Sequence, residues 1–223
     1  MLGIPAFSES VGDKVLTSDF VTRFFKSRVI FVYGEIDNTS AGIICSQLLF
    51  LDEQDSSKDI YMYINSPGGS IIDGLSIYDT MQFVNAPITT LCVGAAYSMG
   101  SILLMAGTKN KRYALPHSEI LVHQPMGGCL GKEADIQIHA QQIAFWRSQI
   151  CDITHEHTGL DRKKIYNMME HDTFLTPNLA IKLGIIDGII SSKHDIQRCN
   201  VKSGLNVQNN TDITKNNSMT AGF

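Results

Sequence analysis

The chain has 223 residues, of which 43% are hydrophobic and 18% charged, a composition typical of globular proteins and unlike that of disordered ones. Eighteen lysine and arginine residues against 22 aspartate and glutamate residues leave a formal net charge of −4, which argues against a general nucleic-acid-binding protein because such proteins need a positive field. The five cysteines are odd in number and include no C-x-x-C pair, which argues against a disulfide framework and a thiolate zinc site and favours a reducing compartment.

The N-terminal segment, residues 1–27, shows no secretory signal. Its first ten residues have neither a basic start nor an apolar run, so it does not resemble a secretory signal peptide. No apolar stretch of the chain approaches the roughly 18 residues of a membrane span, and we expect a soluble intracellular protein. Val21, Phe24 and Phe25 suggest one short helix in this otherwise loosely patterned segment.

Strand and helix patterns alternate from residue 29 onwards. Apolar runs closed by glycine or polar residues predict strands, and helical spacing of apolar residues predicts helices between them. The predicted strands cover 29–34, 59–65, 88–94, 118–123 and 185–190. The predicted helices cover about 39–51, 70–83, 98–106, 132–158, 161–170 and 176–184. This alternation predicts an α/β fold with a largely parallel sheet covered by helices on both faces.

Capping residues mark several of the predicted helix starts. Serine, threonine, aspartate and asparagine side chains accept hydrogen bonds from the first free N–H groups of a helix. The candidates are Asn38 or Thr39, Ser70 with Asp73, Asp161, and Thr176 followed by Pro177. Beyond the last strand, residues 196–223 are rich in asparagine, serine and threonine, and we interpret them as a disordered tail.

The sharpest local signal for chemistry is the segment Gly94-Ala-Ala-Tyr-Ser98-Met-Gly100. A serine flanked by small residues between a strand and a helix resembles a loosened nucleophile elbow, in which a tight turn exposes the hydroxyl group. Free N–H groups at the start of the next helix would stabilise a developing oxyanion. The alternative interpretation is that Ser98 only caps a helix among close-packed small residues.

A second glycine-containing segment, Ser66-Pro-Gly-Gly-Ser70, also lies between a strand and a helix. Two glycines allow the backbone to approach a ligand closely and to present its N–H groups. An oxyanion hole, a phosphate cradle and a plain tight turn all explain this pattern. It matches neither G-x-G-x-x-G nor the P-loop, so nucleotide binding is disfavoured.

A serine nucleophile needs a base to remove its proton, and His123 is the best placed of the seven histidines. It ends the apolar strand Ile-Leu-Val-His, and the ends of strands are where α/β folds place active groups. His155 and His157 do not suggest a metal site, because H-E-x-x-H is absent and residues two apart do not share a helix face.

A carboxylate should orient the histidine, but local sequence does not identify it. Asp172 lies in a loop between two predicted helices, and it has rivals elsewhere in the chain. Most such side chains cap helices or are solvated. The rivals are Asp73, Asp135 and Asp187.

These segments together carry a family resemblance. The matching stretches include Lys58-Asp-Ile-Tyr-Met-Tyr-Ile-Asn-Ser-Pro-Gly-Gly-Ser70, Gly94-Ala-Ala-Tyr-Ser-Met-Gly-Ser101, Val122-His-Gln-Pro-Met-Gly-Gly128, His171-Asp-Thr-Phe-Leu-Thr176 and Gly184-Ile-Ile-Asp187. They resemble the ClpP family, the proteolytic subunit of ATP-dependent Clp protease, over roughly residues 20–195. The resemblance implies an α/β, crotonase-like fold of repeated β-β-α units. It also implies a protease domain at 28–195 with a protruding handle helix at about 132–158.

The resemblance implies roles that spacing alone leaves open. Ser98 falls on the family's nucleophile, His123 on its base and Asp172 on its acid. The backbone N–H groups of Gly69 and Met99 fall on its oxyanion hole. The implied activity is that of a serine endopeptidase, which hydrolyses peptide bonds of unfolded proteins through an acyl-enzyme.

The resemblance further implies an assembly and partners. Family members form two stacked heptameric rings, a homo-oligomeric tetradecamer with the active sites inside. A hexameric AAA+ Clp unfoldase uses ATP and feeds unfolded polypeptides to the rings, so the subunit itself is expected to bind no cofactor and no metal. Neither nucleic acid nor membrane is an expected partner. The expected location is the cytoplasm, with the plastid stroma or another organelle matrix as the alternative.

Two further sets of residues correspond to binding surfaces of the family. Gly127 and Gly128 fall on the edge that binds substrate as an added strand. The docking cleft for the unfoldase is apolar, and ordinary core packing is the alternative role for each of its positions. Those positions are Tyr61, Tyr63, Phe83, Leu91, Tyr113 and Ile190.

The chain departs from the family pattern at Tyr97, where a small residue usually precedes the nucleophile. Its start does not match the usual axial-loop sequence, and its asparagine-rich tail is longer than usual. Two other functions compete with the active protease. A non-catalytic structural subunit of a mixed Clp ring would typically lose triad residues. An enoyl-CoA hydratase-like enzyme acting on acyl-CoA would give Ser98, His123 and Asp172 no joint task.

Overall fold

The computed structural model of the chain describes residues 6–11, 14–192 and 195, so the tail predicted at 196–223 lies outside the described residues. The strands are β1 (Ala6–Val11), β2 (Lys14–Asp19), β3 (Val29–Tyr33), β4 (Ile60–Ser66), β5 (Ile88–Tyr97), β6 (Arg112–Ala114), β7 (Glu119–Val122), β8 (Thr173–Leu175) and β9 (Gly188–Ile189). The helices are α1 (Phe20–Lys26), α2 (Asn38–Gln54), α3 (Ile71–Phe83), α4 (Met99–Met105), α5 (Glu133–Thr158), α6 (Arg162–Met169) and α7 (Pro177–Lys182).

One largely parallel sheet organises the chain. Strands β3, β4, β5, β6 and β9 lie side by side in that order, and each neighbouring pair is parallel. β7 pairs in parallel with the end of β5, and β8 joins β7 in the antiparallel direction. The predicted α/β fold is confirmed. The sequence patterns did not predict the short strands β6 and β8, nor the separate antiparallel pair of β1 and β2.

β5 is longer than the strand predicted at 88–94, and it changes partners along its length. Its first part pairs with β4 and β6. A register shift then places Ser66 opposite Ala96, and the last residues of β5 pair with β7. Gly94 permits the change of direction with a φ of +97°, which only glycine adopts without strain. β5 therefore reaches the edge of β7 immediately before Ser98.

The two faces of the sheet are covered unequally. On one face, Met62 and Ile64 of β4 are fully buried in the main core, which also contains residues of α2, α3 and α4. On the opposite side, which we call the outer face, Tyr61 and Tyr63 are half-buried and Tyr33 is 49% exposed. The alternation predicted in β4 is confirmed. On the outer face, α1 packs its Phe24 ring 5.4 Å from that of Phe31 in β3, so the predicted helical cover is only partial there.

Side-chain caps define most helix starts. Those at Ser70, Asp161 and Thr176 were predicted, and each accepts a hydrogen bond from a backbone N–H group two or three residues later. The prediction that Asn38 or Thr39 caps α2 is wrong. Asp37 is the cap, because its carboxylate accepts a hydrogen bond from the N–H group of Ser40 at 2.7 Å while the Ser40 hydroxyl accepts one from Asp37 N–H at 2.9 Å. This reciprocal pair places the first turn one residue earlier.

α5 is the longest helix, with 26 residues, and spans about 39 Å at 1.5 Å per residue. None of residues 133–149 is buried, and Ile138 and Phe145 are 63% and 55% exposed. The buried side chains of α5 lie near its C-terminal end, at Ile150, Cys151 and Thr154. The first two thirds of the helix therefore project from the core. Within the described ranges, no helix combines the length and the apolar character needed to cross a membrane.

Polar contacts anchor the C-terminal end of α5. The buried guanidinium of Arg112 donates two hydrogen bonds to Asp187, at 2.9 and 2.7 Å, and another to the carbonyl of His157 at 2.9 Å. The ring of His157 lies 3.0 Å from the Tyr78 hydroxyl of α3. Burial raises the pKa of Tyr78 to about 12 and lowers the pKa of His157, so a neutral phenol and a neutral imidazole share this hydrogen bond at neutral pH.

Candidate active site

Ser98 lies in a strained turn between β5 and α4. Its φ of +53° and ψ of −122° are unfavourable for an L-residue and cost about 1–3 kcal/mol. Its N–H group donates a hydrogen bond to the carbonyl of Leu121 in β7 at 3.0 Å. Its side chain makes no capping hydrogen bond to α4, so the interpretation of Ser98 as a simple helix cap is wrong. The turn leaves the hydroxyl free for another task.

The glycine turn at residues 66–70 lies directly against Ser98. A Cβ atom on Gly68 would stand 2.7 Å from the Cβ of Ser98, and one on Gly69 would stand 2.1 Å from the carbonyl oxygen of Ile36. Both glycines have positive φ, at +92° and +152°. Neither can be replaced without displacing the turn. Sequence analysis did not single out Gly68, although the paired glycines were the signal that could have identified it.

The turn leaves one N–H group unused beside the serine. Gly68 donates its N–H to the Ser66 hydroxyl at 3.1 Å, and Ser70 donates its N–H to Ile36 at 2.8 Å. Among the described residues, the N–H groups of Gly69 and Met99 donate to no acceptor. Two unpaired backbone donors beside a serine hydroxyl are suited to bind a negatively charged oxygen.

His123 follows β7 and lies within hydrogen-bond distance of a carboxylate. Its Nδ1 atom is 3.1 Å from Oδ1 of Asp172, which is 49 positions away in the chain. The side chain of His123 is 15% exposed and that of Asp172 is 63% exposed. Of the rival carboxylates, Asp187 is bound to Arg112. The carboxylate occupies Nδ1 of the ring, and among the described residues Nε2 makes no hydrogen bond.

The loop that carries Asp172 is held by the residue next to His123. Gln124 donates its backbone N–H to the carbonyl of Met169 at 2.7 Å and its side-chain amide to the carbonyl of Glu170 at 3.0 Å. These bonds tie the end of α6 to the end of β7. Sequence analysis did not single out Gln124, because nothing local indicates which backbone a glutamine side chain will meet.

Ser98 and His123 line the same cleft. The hydroxyl of Ser98 does not hydrogen-bond to His123 in this structure, and such contacts often tighten only when a substrate is bound. The remaining wall is mainly apolar. It is formed by residues that include Ile71, Met99, Ile102, Val122, Pro125, Ile150 and Met169.

The predicted docking residues fall into two groups. Leu91, Tyr113 and Ile190 form a small buried cluster on the outer face, and Tyr61 and Tyr63 pack against it. Burial raises the pKa of both partly exposed tyrosines, so their hydroxyl groups stay neutral. The remaining residue of the predicted set lies apart from this cluster, at the end of α3, with 77% of its surface exposed; it is Phe83. The docking role stays a prediction.

Gly127 and Gly128 lie between β7 and α5 in backbone that forms no strand. A Cβ atom on Gly127 would meet the side chain of Ile143 at 3.2 Å, whereas one on Gly128 would meet nothing within 4 Å. Their role as a substrate-binding edge stays a prediction. The part of the chain that the structure describes contains no cluster of three or more histidine, cysteine or acidic side chains suited to a metal ion.

Comparisons with known proteins agree with this geometry. A family model described as Clp protease matches residues 12–193. The chain is also similar to the "ATP-dependent Clp protease proteolytic subunit" of Ligilactobacillus salivarius (strain UCC118). The two sequences are 48% identical over 194 residues, which cover 87% of this chain and 98% of that protein.

Proposed function

The chain belongs to the Clp protease family and is a peptidase, and we propose that Ser98 is its nucleophile, His123 its general base and Asp172 the acid that orients the base. One observation carries this assignment. His123 and Asp172, 49 positions apart in sequence, share a hydrogen bond at a cleft that Ser98 also lines. A purely structural role does not explain why His123 and Asp172 are paired beside Ser98 or why the backbone at Ser98 is strained.

In the proposed acylation step, the Ser98 hydroxyl oxygen attacks the carbonyl carbon of the scissile peptide bond. The hydroxyl proton moves to Nε2 of His123, and the carbonyl electron pair moves to oxygen. The N–H groups of Gly69 and Met99 bind this oxyanion. The carbon–nitrogen bond then breaks, the imidazolium gives its proton to the leaving amine, and an acyl-enzyme remains. Asp172 stabilises the imidazolium while it carries the proton.

The proposed deacylation step repeats these roles with water. His123 removes a proton from a water molecule, and the water oxygen attacks the carbonyl carbon of the acyl group bound to Oγ of Ser98. The second oxyanion collapses, the bond to the serine oxygen breaks, and the proton returns to Ser98. The products are a peptide with a new carboxyl terminus and the enzyme with its Ser98 hydroxyl restored. The reaction consumes one water molecule and needs no cofactor or metal in this subunit.

We propose that the chain works in a protease assembly with an ATP-dependent partner, as the name of its relative describes for that protein. The specific form proposed is two stacked heptameric rings fed with unfolded polypeptides by a hexameric AAA+ unfoldase. Two features support surfaces for other chains: the uncovered apolar side chains of α5 and the half-buried tyrosines of the outer face. Tyr61, Tyr63 and Phe83 would contact the unfoldase. Gly127 and Gly128 would bind the substrate strand.

We also propose that the protein acts in the cytoplasm, with an organelle matrix as the alternative. Four of its five cysteines lie in the described part of the chain, and these are free thiols. Free thiols are typical of compartments in which glutathione keeps cysteine reduced.

Labelling of the serine tests the catalytic assignment. A fluorophosphonate should add to the wild-type chain once, as seen by intact mass, and should not add to Ser98→Ala. Loss of a triad member lowers peptide hydrolysis by about 10⁴–10⁶-fold, and the assembly should persist because one small hydroxyl is removed.

The matched control is Ser76→Ala, which removes an exposed helix hydroxyl that donates to the carbonyl of Asp73 within α3 and lies 3.9 Å from the Cys45 thiol of α2. It should be labelled and active like the wild type. Peptide turnover by Ser98→Ala within tenfold of wild type contradicts the assignment. An assembled wild-type chain with no labelling and no turnover supports the non-catalytic structural subunit instead.

A further inference from the structure

Tyr97 lies where three segments of the proposed active site meet. It is the last residue of β5 and directly precedes Ser98. In the sheet it is paired with Leu121 of β7, and Leu121 is paired with Phe174 of β8. Because residues paired across neighbouring strands point to the same face, the rings of Tyr97 and Phe174 project from the same side of the sheet.

Two contacts of Tyr97 connect these segments. Its ring meets that of Phe174 edge-on, with centroids 6.2 Å apart and an angle of 89° between the planes. Its hydroxyl donates a hydrogen bond to the carboxylate of Glu119, the first residue of β7. This hydrogen bond raises the pKa of Tyr97, so the phenol remains protonated and remains a donor at neutral pH.

The segment that carries Asp172 needs such support. β8 has three residues, and Phe174, two positions after Asp172, is 55% exposed. The carboxylate of Asp172 is 63% exposed, and the hydrogen bond with His123 is the one that the described residues supply to it. The distance between carboxylate and imidazole therefore depends on where β8 lies. The hydrogen bonds of Gln124 hold the loop on one side of Asp172, and the ring of Phe174 is available on the other.

We propose that Tyr97 is a positioning residue: it holds β8 and the start of β7 against the Ser98 turn and so keeps Asp172 within hydrogen-bond distance of His123. This inference rests on the proposed function of the three residues. The ring contact to Phe174 positions β8, and the hydroxyl bond to Glu119 fixes the orientation of the ring. Tyr97 itself does not touch the reacting atoms.

Steady-state kinetics of a short peptide substrate test the proposal. Tyr97→Ala should lower kcat on the order of tenfold to 10²-fold, the loss expected when a catalytic group is misplaced by about 1 Å, with KM close to wild type. The pH profile of kcat/KM should also change, because it depends on the geometry of the triad and not on the stability of the fold. Phe174→Ala should lower kcat and change the pH profile in the same way. The kcat of the double variant should be no lower than that of Tyr97→Ala, because both substitutions remove the same ring contact.

The matched control is Tyr33→Ala. Tyr33 is also the last residue of a strand, is half exposed, and meets another ring edge-on, that of Phe31 at 5.2 Å, but it lies on β3 away from the triad segments. It should keep the kcat and the pH profile of wild type. A structural loss shared by any exposed tyrosine would lower the melting temperature of both variants without moving the pH profile.

Two more conservative substitutions test the proposal even if Tyr97→Ala does not fold. Tyr97→Phe retains the ring and loses the hydrogen bond, and Glu119→Gln retains an acceptor. The first should lower kcat about two- to fivefold, a small misplacement of the acid, and the second should not. Unchanged kcat and pH profile in Tyr97→Phe and Tyr97→Ala, with wild type still labelled at Ser98, overturn the inference alone. Absence of labelling in the wild type overturns the proposed function instead.

Discussion

The surroundings of Ser98 and the outer face of the sheet differ in one respect. A single chain supplies all the groups around Ser98, whereas it leaves the outer face partly exposed. Around Ser98, one chain provides a strained turn, two unpaired N–H groups, and a histidine bonded to a carboxylate. On the outer face, the half-buried Tyr61 and Tyr63 pack on a small cluster, and Tyr33 stays half exposed. The projecting part of α5 shares this incompleteness, since Ile138 and Phe145 are exposed.

The difference has a physical reason. A site of the proposed catalytic kind must hold its geometry to fractions of an ångström, and the close approach of Gly68 to Ser98 and the backbone hydrogen bonds around it restrict movement there. A surface for another chain needs apolar area that stays accessible before binding. Substitutions in the first region should therefore change rates, and those in the second should change association.

The largest of the effects that distinguish the two regions is expected for Gly69→Ala. The new Cβ would stand 2.1 Å from the carbonyl oxygen of Ile36, so the turn must move and the proposed oxyanion donor moves with it. Loss of one such donor lowers kcat about 10²–10³-fold. The control is Gly42→Ala in α2, where nothing lies within 4 Å of the new atom; it should keep wild-type kcat and gain slightly in melting temperature. Equal kcat for the two variants contradicts the role of the turn.

Next in size is the contrast between two adjacent residues of β4. Met62 is fully buried, and Met62→Ala should lower the free energy of unfolding by about 2–5 kcal/mol. Tyr63→Ala should change stability less, because its ring is only half-buried, but should weaken unfoldase-dependent protein degradation much more than cleavage of a di- or tripeptide. Both activities and the melting temperature are measured on each variant. A parallel loss of all three in Tyr63→Ala would remove Tyr63 from the docking surface.

A smaller effect is expected for association through α5. Phe145→Glu places a charge on the exposed apolar side of the helix and should weaken assembly about tenfold or more, since burying an unpaired charge is unfavourable. Gln142→Glu, at an exposed polar position of the same helix, adds the same charge and should assemble like wild type. Sedimentation velocity over a range of concentrations measures this. A wild-type chain that sediments only as a monomer at every concentration would contradict the prediction.

The smallest effect concerns the pH dependence of stability at the anchored end of α5. Burial lowers the pKa of His157 in the folded chain, so the unfolded chain binds the proton more tightly, with a pKa of about 6.5. Stability should therefore be complete above about pH 6.5 and fall as the pH drops through that value towards the lower folded pKa. His157→Gln can still share a hydrogen bond with Tyr78 but cannot be protonated. Thermal melts of both chains should differ in slope in this window, and identical slopes would contradict the assignment.

The sequence predicted elements whose signals are local. The caps Asp161 and Thr176, the alternation of β4 and the length of α5 all follow from neighbouring residues, and the structure confirms them. Ser98 and His123 were also selected locally, because a small-residue elbow and a strand end are short patterns.

The rest depends on contacts between distant residues. β6 and β8 have three residues each and are strands only because β5 and β7 lie beside them. Asp172 has no local signal that separates it from the other carboxylates, and only the fold brings it to His123. The family resemblance supplied that assignment before the geometry did.

The projecting part of α5 has a consequence for local stability. Every side chain at 133–142 is exposed, and a helical segment of this length without tertiary packing is only marginally stable in water. Whatever covers its exposed isoleucine and phenylalanine side chains therefore also stabilises its helical conformation, and the two equilibria are linked by mass action. The helix content of this segment becomes a function of protein concentration. On dilution, α5 should unwind from Glu133 towards Ile150, where the buried anchors of the helix begin.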